Sequence, residues 1–260
     1  MSLWGITTSL TVRVCYRMIA ERSGPSGNPA IPFTFDDAKR ELERMRASPM
    51  PLTRPVVILN GYHTWAGVAH AVAAALAPIT SGRLSDFIPI SYGLATSIER
   101  AESIARSCIE RTVGNNPFDA VGISMGGIVG RSFAAVDAPR RRMQTLFTFG
   151  SPHTGSSLST IAAPDRAAKS MLPGCPFLAA LDSAAGRPAR IRPYAQLKDG
   201  IVGARFSAPT GSHPLWTAGT DKLSHFTTPA NPIFLADIAR ILRGEEPLLD
   251  DAAASVPPAE

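Results

Sequence analysis

The stretch Phe118-Asp119-Ala120-Val121-Gly122-Ile123-Ser124-Met125-Gly126-Gly127-Ile128-Val129 constrains this chain more than any other. A short apolar run, Ala120 to Ile123, meets a Gly-x-Ser-x-Gly. An apolar segment able to form a helix then follows, with Ile128, Val129, Phe133 and Ala134. The order is strand, sharp turn, helix, with a serine at the apex. Such a serine takes a strained backbone conformation. Gly122 and Gly126 flank it because side chains there would strike the strand and the helix. The turn pushes the hydroxyl into the open, and the first amides of the helix face whatever it attacks. The bland alternative is a plain strand-to-helix turn. The flanking segments, and the acids and histidines downstream, favour the elbow.

The rest of the chain supplies the frame. Val56 to Leu59 is a continuous apolar run, as a strand buried on both faces requires. From there the pattern alternates: helix over 64–77, strand over 87–90, helix over 96–111, the strand into Ser124 and its helix, and a strand over 143–149. Strand character returns at 191–197 and 213–218, and a clear helix runs over 231–243. Alternation of this kind builds a parallel sheet covered by helices on both faces, with ligands outside the carboxyl ends of the strands. At 260 residues the chain fits one large α/β domain over 51–243.

Three segments depart from the alternation. Residues 1–50 read as an extension packing on the core, with a helix over 36–46 capped by Asp36 or Asp37. Residues 156–188 are rich in Ala, Pro, Gly and Ser and too long for a plain loop, so a small lid with short helices near 167–171 and 177–181 is expected. Residues 244–260 are acidic and proline-containing, and read as a disordered tail.

A serine hydroxyl becomes a nucleophile when a base takes its proton, usually a histidine held by a carboxylate. Of the five histidines, only His213 and His225 lie far enough downstream in the order serine, acid, histidine. His213 opens a strand. His225 lies in the loop before the last helix, where a base can reach back across the strand ends. Between Ser124 and His225 the acids are Asp137, Asp165, Asp182, Asp199 and Asp221. Asp199 follows a strand end directly, Asp221 is the runner-up, and Asp165 and Asp182 fall in the expected lid as solvated groups. The oxyanion needs two backbone N–H groups, assigned to Met125 and Tyr62.

These motifs, with Ile58-Leu59-Asn60-Gly61-Tyr62, Phe149-Gly150-Ser151-Pro152-His153-Thr154-Gly155, Asp199-Gly200-Ile201-Val202 and Ser224-His225-Phe226, resemble the α/β-hydrolase lipases and esterases over about 56–242. The resemblance implies an α/β-hydrolase fold, a Ser124–His225–Asp199 triad and hydrolysis of acyl esters or lipids through an acyl-enzyme, with no cofactor or metal. Where similar lipases carry His-Gly this chain has Asn60-Gly61, and where they carry His before the nucleophile it has Ile123. His153 in this pattern is a site-wall or structural residue. Thioester, phospholipid and amide substrates use the same machinery, and a silent hydrolase fold used for binding is the reading from another class.

Composition narrows the partners. Net charge is +5, and the five acids after Gly244, with no Lys or Arg among them, leave +10 on the body. The cations are scattered, with one cluster at Arg140-Arg141-Arg142 and no aromatic-interleaved basic stripe, so no nucleic acid is expected. Cys15, Cys108 and Cys175 are far apart, which gives neither a zinc spacing nor a disulfide framework. Residues 1–20 are apolar but interrupted by Arg13 and Arg17. They lack the features of a signal peptide, which points to a cytoplasmic location with at most weak membrane-surface contact.

Overall fold

The computed structural model describes residues 23–64, 66–156, 165–184, 186, 188–219, 223–250 and 255–257. Its centre is a sheet of β1 (Val56–Leu59), β2 (Phe87–Ile90), β3 (Phe118–Ile123), β4 (Met143–Phe149), β5 (Arg190–Gln196) and β6 (Leu215–Thr217). The strands lie in the order β2-β1-β3-β4-β5-β6, and every neighbouring pair is parallel. The apolar runs have the expected cause. Val56 and Ile58 point into one helical layer, Val57 and Leu59 into the other, and all four are buried.

One layer holds α1 (Phe35–Ala47), α2 (Gly67–Leu76) and α8 (Pro232–Leu242). The other holds α3 (Ile98–Thr112), α4 (Met125–Val136), α5 (Arg166–Lys169) and α6 (Pro176–Ser183). A single turn, α7 (Ser224–Thr227), precedes α8. The β1–β2 connection through α2 covers one face, while α3 and α4 carry the chain back over the other. The winding therefore reverses between β1 and β3, the position outside whose carboxyl ends ligands of such sheets bind.

Local chemistry sets the ends of the elements. Thr34, rather than Asp36 or Asp37, caps α1. Its hydroxyl accepts from the Asp37 N–H at 3.1 Å, while the Asp37 carboxylate accepts the Thr34 N–H at 2.9 Å. The preceding residues are stitched to β6, with Asn28 Nδ2 donating to the Trp216 carbonyl (2.8 Å) and the Ala218 N–H to the Ser26 carbonyl (2.9 Å). Residues 1–20, for which at most weak membrane-surface contact is expected, lie outside the described residues, as do residues 157–164 of the expected lid. Its described part forms α5 and α6. Among the described residues no helix is long and apolar enough to cross a membrane.

Residues 245–250, expected to belong to a disordered tail, are instead held on the core. Arg192 in β5 and Asp237 in α8, both buried, form a two-pronged pair at 2.5 and 3.0 Å. The Tyr194 hydroxyl donates to the same carboxylate at 2.6 Å. Arg192 Nη2 donates to the Leu249 carbonyl (2.6 Å) and the Leu249 N–H to Asp237 (2.8 Å). Composition favoured disorder here, but a buried ion pair needs further hydrogen bonds, and the backbone of Leu249 supplies two of them.

Candidate active site

β3 ends at Ile123, and Ser124 turns the chain at φ 52°, ψ −121°, a left-handed backbone that residues other than glycine rarely adopt. The turn is this tight because of its glycines. A Cβ on Gly122 would lie 2.5 Å from the Gly127 nitrogen, and one on Gly126 only 2.2 Å from the Leu59 carbonyl oxygen. Ser124 itself is tied down by its N–H, which donates to the Phe149 carbonyl at 2.8 Å.

The carboxyl ends of β5 and β6 supply the other two residues. Asp199 follows β5, and an antiparallel bridge to Leu223 brings the α7 turn alongside it. His225, in that turn, has Nδ1 2.8 Å from Asp199 Oδ2 and Nε2 3.1 Å from Ser124 Oγ. The second Asp199 oxygen accepts the N–H groups of Ile201 and Val202, each at 2.9 Å. Burial alone would push this carboxyl up. The hydrogen bond and charge of His225, with those two amides, outweigh it and hold it below the usual carboxylate range. An ionised Asp199 keeps the proton on Nδ1, which turns the Nε2 lone pair toward the serine hydroxyl.

The loop after β1 closes the other side. β1 and β3 are paired with Leu59 opposite Gly122, so Tyr62 in the loop after β1 and Met125 after β3 each follow that level by three residues, beyond the ends of adjacent strands. Met125 opens α4, where the first N–H groups have no acceptor within the helix. Asn60 holds the loop: its Nδ2 donates to the Thr64 carbonyl (3.2 Å), and its own carbonyl accepts the Tyr92 hydroxyl (2.9 Å). The asparagine at this position thus does structural work.

The remaining candidates fall elsewhere. His213 is exposed ahead of β6, and His70 is exposed on α2. His153 is fully buried with Nε2 3.0 Å from Thr148 Oγ1, and burial, reinforced by the Arg131 charge, pushes it well below the ordinary imidazole value. Asp137 pairs with Arg142. Asp221 lies outside the described residues. Two acids expected to be solvated are engaged: Asp182 pairs with the buried Arg131 at 2.5 Å, and Asp165 accepts the Tyr62 hydroxyl at 2.8 Å. Both contacts span more than fifty residues, and no local pattern announces them. Among the described residues no group of three or more His, Cys, Asp or Glu could hold a metal ion.

No protein-family profile matches the sequence, and no curated protein is significantly similar to it. Solved structures do match. The mature lipase BlEst2 of Bacillus licheniformis superposes with a TM-score of 0.53 at 16% identity, over 75% of this chain and 94% of that one. This chain has the α/β-hydrolase fold. Aspergillus fumigatus lipase B shares this hydrolase fold at a TM-score of 0.54 and 14% identity, over 80% of this chain and 58% of the lipase. Phospholipase PlaB of Legionella pneumophila matches at 0.50 and 11% identity over 60% of this chain. The present chain spans 44% of that phospholipase. Ser124, His225 and Asp199 converge beyond the carboxyl ends of β3 and β4, where a Cβ on Gly150 would lie 3.0 Å from Asp199 Oδ2 and 3.1 Å from His225 Nδ1.

Proposed function

We propose that the protein is a serine hydrolase of carboxylic esters. The observation that carries this reading is the unbroken chain Ser124 Oγ–His225 Nε2 (3.1 Å) and His225 Nδ1–Asp199 Oδ2 (2.8 Å). His225 takes the Ser124 proton as Oγ attacks the acyl carbonyl. The tetrahedral oxyanion forms between the N–H groups of Tyr62 and Met125, each contributing about 3 kcal/mol to the transition state. His225 then gives its proton to the leaving alcohol, and the ester bond breaks to leave an acyl-Ser124 ester. Water attacks that ester with His225 as base, and the acid departs as Ser124 regains its proton.

The names of the matched structures support this reading: two are lipases and one a phospholipase. Acyl esters, lipid esters included, are therefore the substrate class of this reading.

Hydrolysis of p-nitrophenyl esters from acetate to palmitate, with Ser124→Ala alongside, tests it. Turnover that disappears in Ser124→Ala, together with fluorophosphonate labelling of the wild type only, is expected. Equal rates for the two proteins, or none for either, would remove the elbow as an ester-cleaving centre.

A further inference from the structure

The Tyr62 loop is held from outside itself. The Tyr62 hydroxyl donates to Asp165 Oδ2 at 2.8 Å, and His63 Nε2 lies 3.5 Å from the same oxygen. The two rings stack with centroids 4.0 Å apart and planes 16° from parallel. Between them the backbone is strained, since His63 has φ 45°, a conformation that a residue with a side chain keeps only when its surroundings impose it. Within the loop, Asn60 reaches the Thr64 carbonyl and the Thr64 hydroxyl donates to the Gly61 carbonyl at 3.0 Å. From outside, Tyr92 holds the Asn60 carbonyl and Asp165 holds the Tyr62 side chain.

Asp165 is itself well anchored. Its other oxygen accepts the Ala168 N–H at 2.9 Å at the start of α5. The preceding residue of that helix, Ala167, donates its N–H to the Thr96 carbonyl at 2.8 Å, in the loop after β2. The carboxylate thus uses one oxygen for its own helix and one for the Tyr62 loop, across 103 residues of sequence.

We infer that Asp165 is a positioning residue for the oxyanion: by fixing the Tyr62 side chain it aims the Tyr62 N–H at the reacting carbonyl. This role rests on the ester-hydrolase reading above. The Tyr62 hydroxyl is a durable donor, since burial and the neighbouring carboxylate push it up to about 12. An oxyanion donor works only within a narrow range of distance, so a loop free to rotate about Tyr62 loses transition-state binding while substrate binding is little changed.

Two variants separate this role from simple capping of α5. Asp165→Ser retains a side chain that caps helices but lacks the second oxygen. Tyr62→Phe removes the hydroxyl and keeps the ring stack. With p-nitrophenyl butyrate, each is expected to lower kcat by roughly tenfold, less than the loss of a whole donor, with KM within about twofold. The double variant should be no slower than the slower single one, because both cut the same link. Wild-type kcat in Tyr62→Phe, or losses that multiply in the double variant, overturn the role alone. A lowered Tm with unchanged kcat overturns it as well, leaving a structural contact only. Absence of turnover in the wild type overturns the ester-hydrolase reading and this role with it.

Discussion

Replacing Gly126 with alanine tests how closely the elbow and the loop after β1 are fitted. The new Cβ would lie 2.2 Å from the Leu59 carbonyl oxygen, 2.8 Å from its carbon and 2.7 Å from the Asn60 oxygen. All three are backbone atoms, so no rotamer change relieves them. Real Cβ atoms essentially never approach closer than 3.0 Å, so the elbow and the loop must separate by about 0.8 Å. β1 cannot absorb the shift, because it is paired on both sides and fully buried. The displacement therefore falls between Ser124–Met125 and Asn60–Tyr62, the two sides of the proposed oxyanion site. Oxyanion donors work over about 2.7–3.1 Å, a window half as wide as the shift. Gly126→Ala should lower kcat by about 100-fold or more with KM little changed. Overpacking should also cost about 1–3 kcal/mol, or roughly 5 °C in Tm. The assay is kcat and KM on p-nitrophenyl butyrate well below both Tm values, with circular dichroism to establish that the variant is folded. A folded variant with wild-type kcat would refute the claim that this contact sets the site.

Two further outcomes follow from buried polar groups. His153 stays neutral in the folded protein, whereas its unfolded counterpart takes a proton below about pH 6.5. Its stabilising contribution is therefore complete above that value and lost as the pH falls below it. Urea unfolding should show the wild type losing about 1.4 kcal/mol more than His153→Asn between pH 7.5 and 5.5, and parallel profiles would show that this imidazole is not the group responsible. Asp237→Ala should strand the buried Arg192 without its carboxylate, costing about 3–5 kcal/mol and lowering Tm by roughly 10 °C; a Tm within 2–3 °C of wild type, about 1 kcal/mol at this chain length, would mean that water or Tyr194 replaces the pair.

The parts of the fold legible in sequence are those whose cause is local. Strands covered on both faces are apolar throughout where nothing else intervenes, so Val56–Leu59 stands out as a run. The elbow is legible because its steric demands require Gly122 and Gly126 on either side of Ser124. Asp199 and His225 are found by chain order, since each follows a strand end, and the structure places them within hydrogen-bonding distance of each other. What stays hidden depends on distant partners. Thr34 is displaced as a candidate cap by the acids beside it, although it completes a capping box with Asp37. Asp165, Asp182 and Leu249 carry no local mark of the tyrosine, the arginine and the ion pair that hold them.

The parallel sheet also bears on how the protein reaches its working state. Ser124 and His225 are 101 residues apart in sequence, and Asp199 and His225 are 26 apart. Neighbouring parallel strands cannot form a hairpin, so each pairing waits for a crossover to close. Loop-closure entropy opposes each step until the long-range contact forms. The reacting atoms therefore meet only after β3, β5 and β6 have all joined the sheet. Recovery of the serine's reactivity during refolding would then trail the return of helical signal, and would serve as a clock for the last strands to dock.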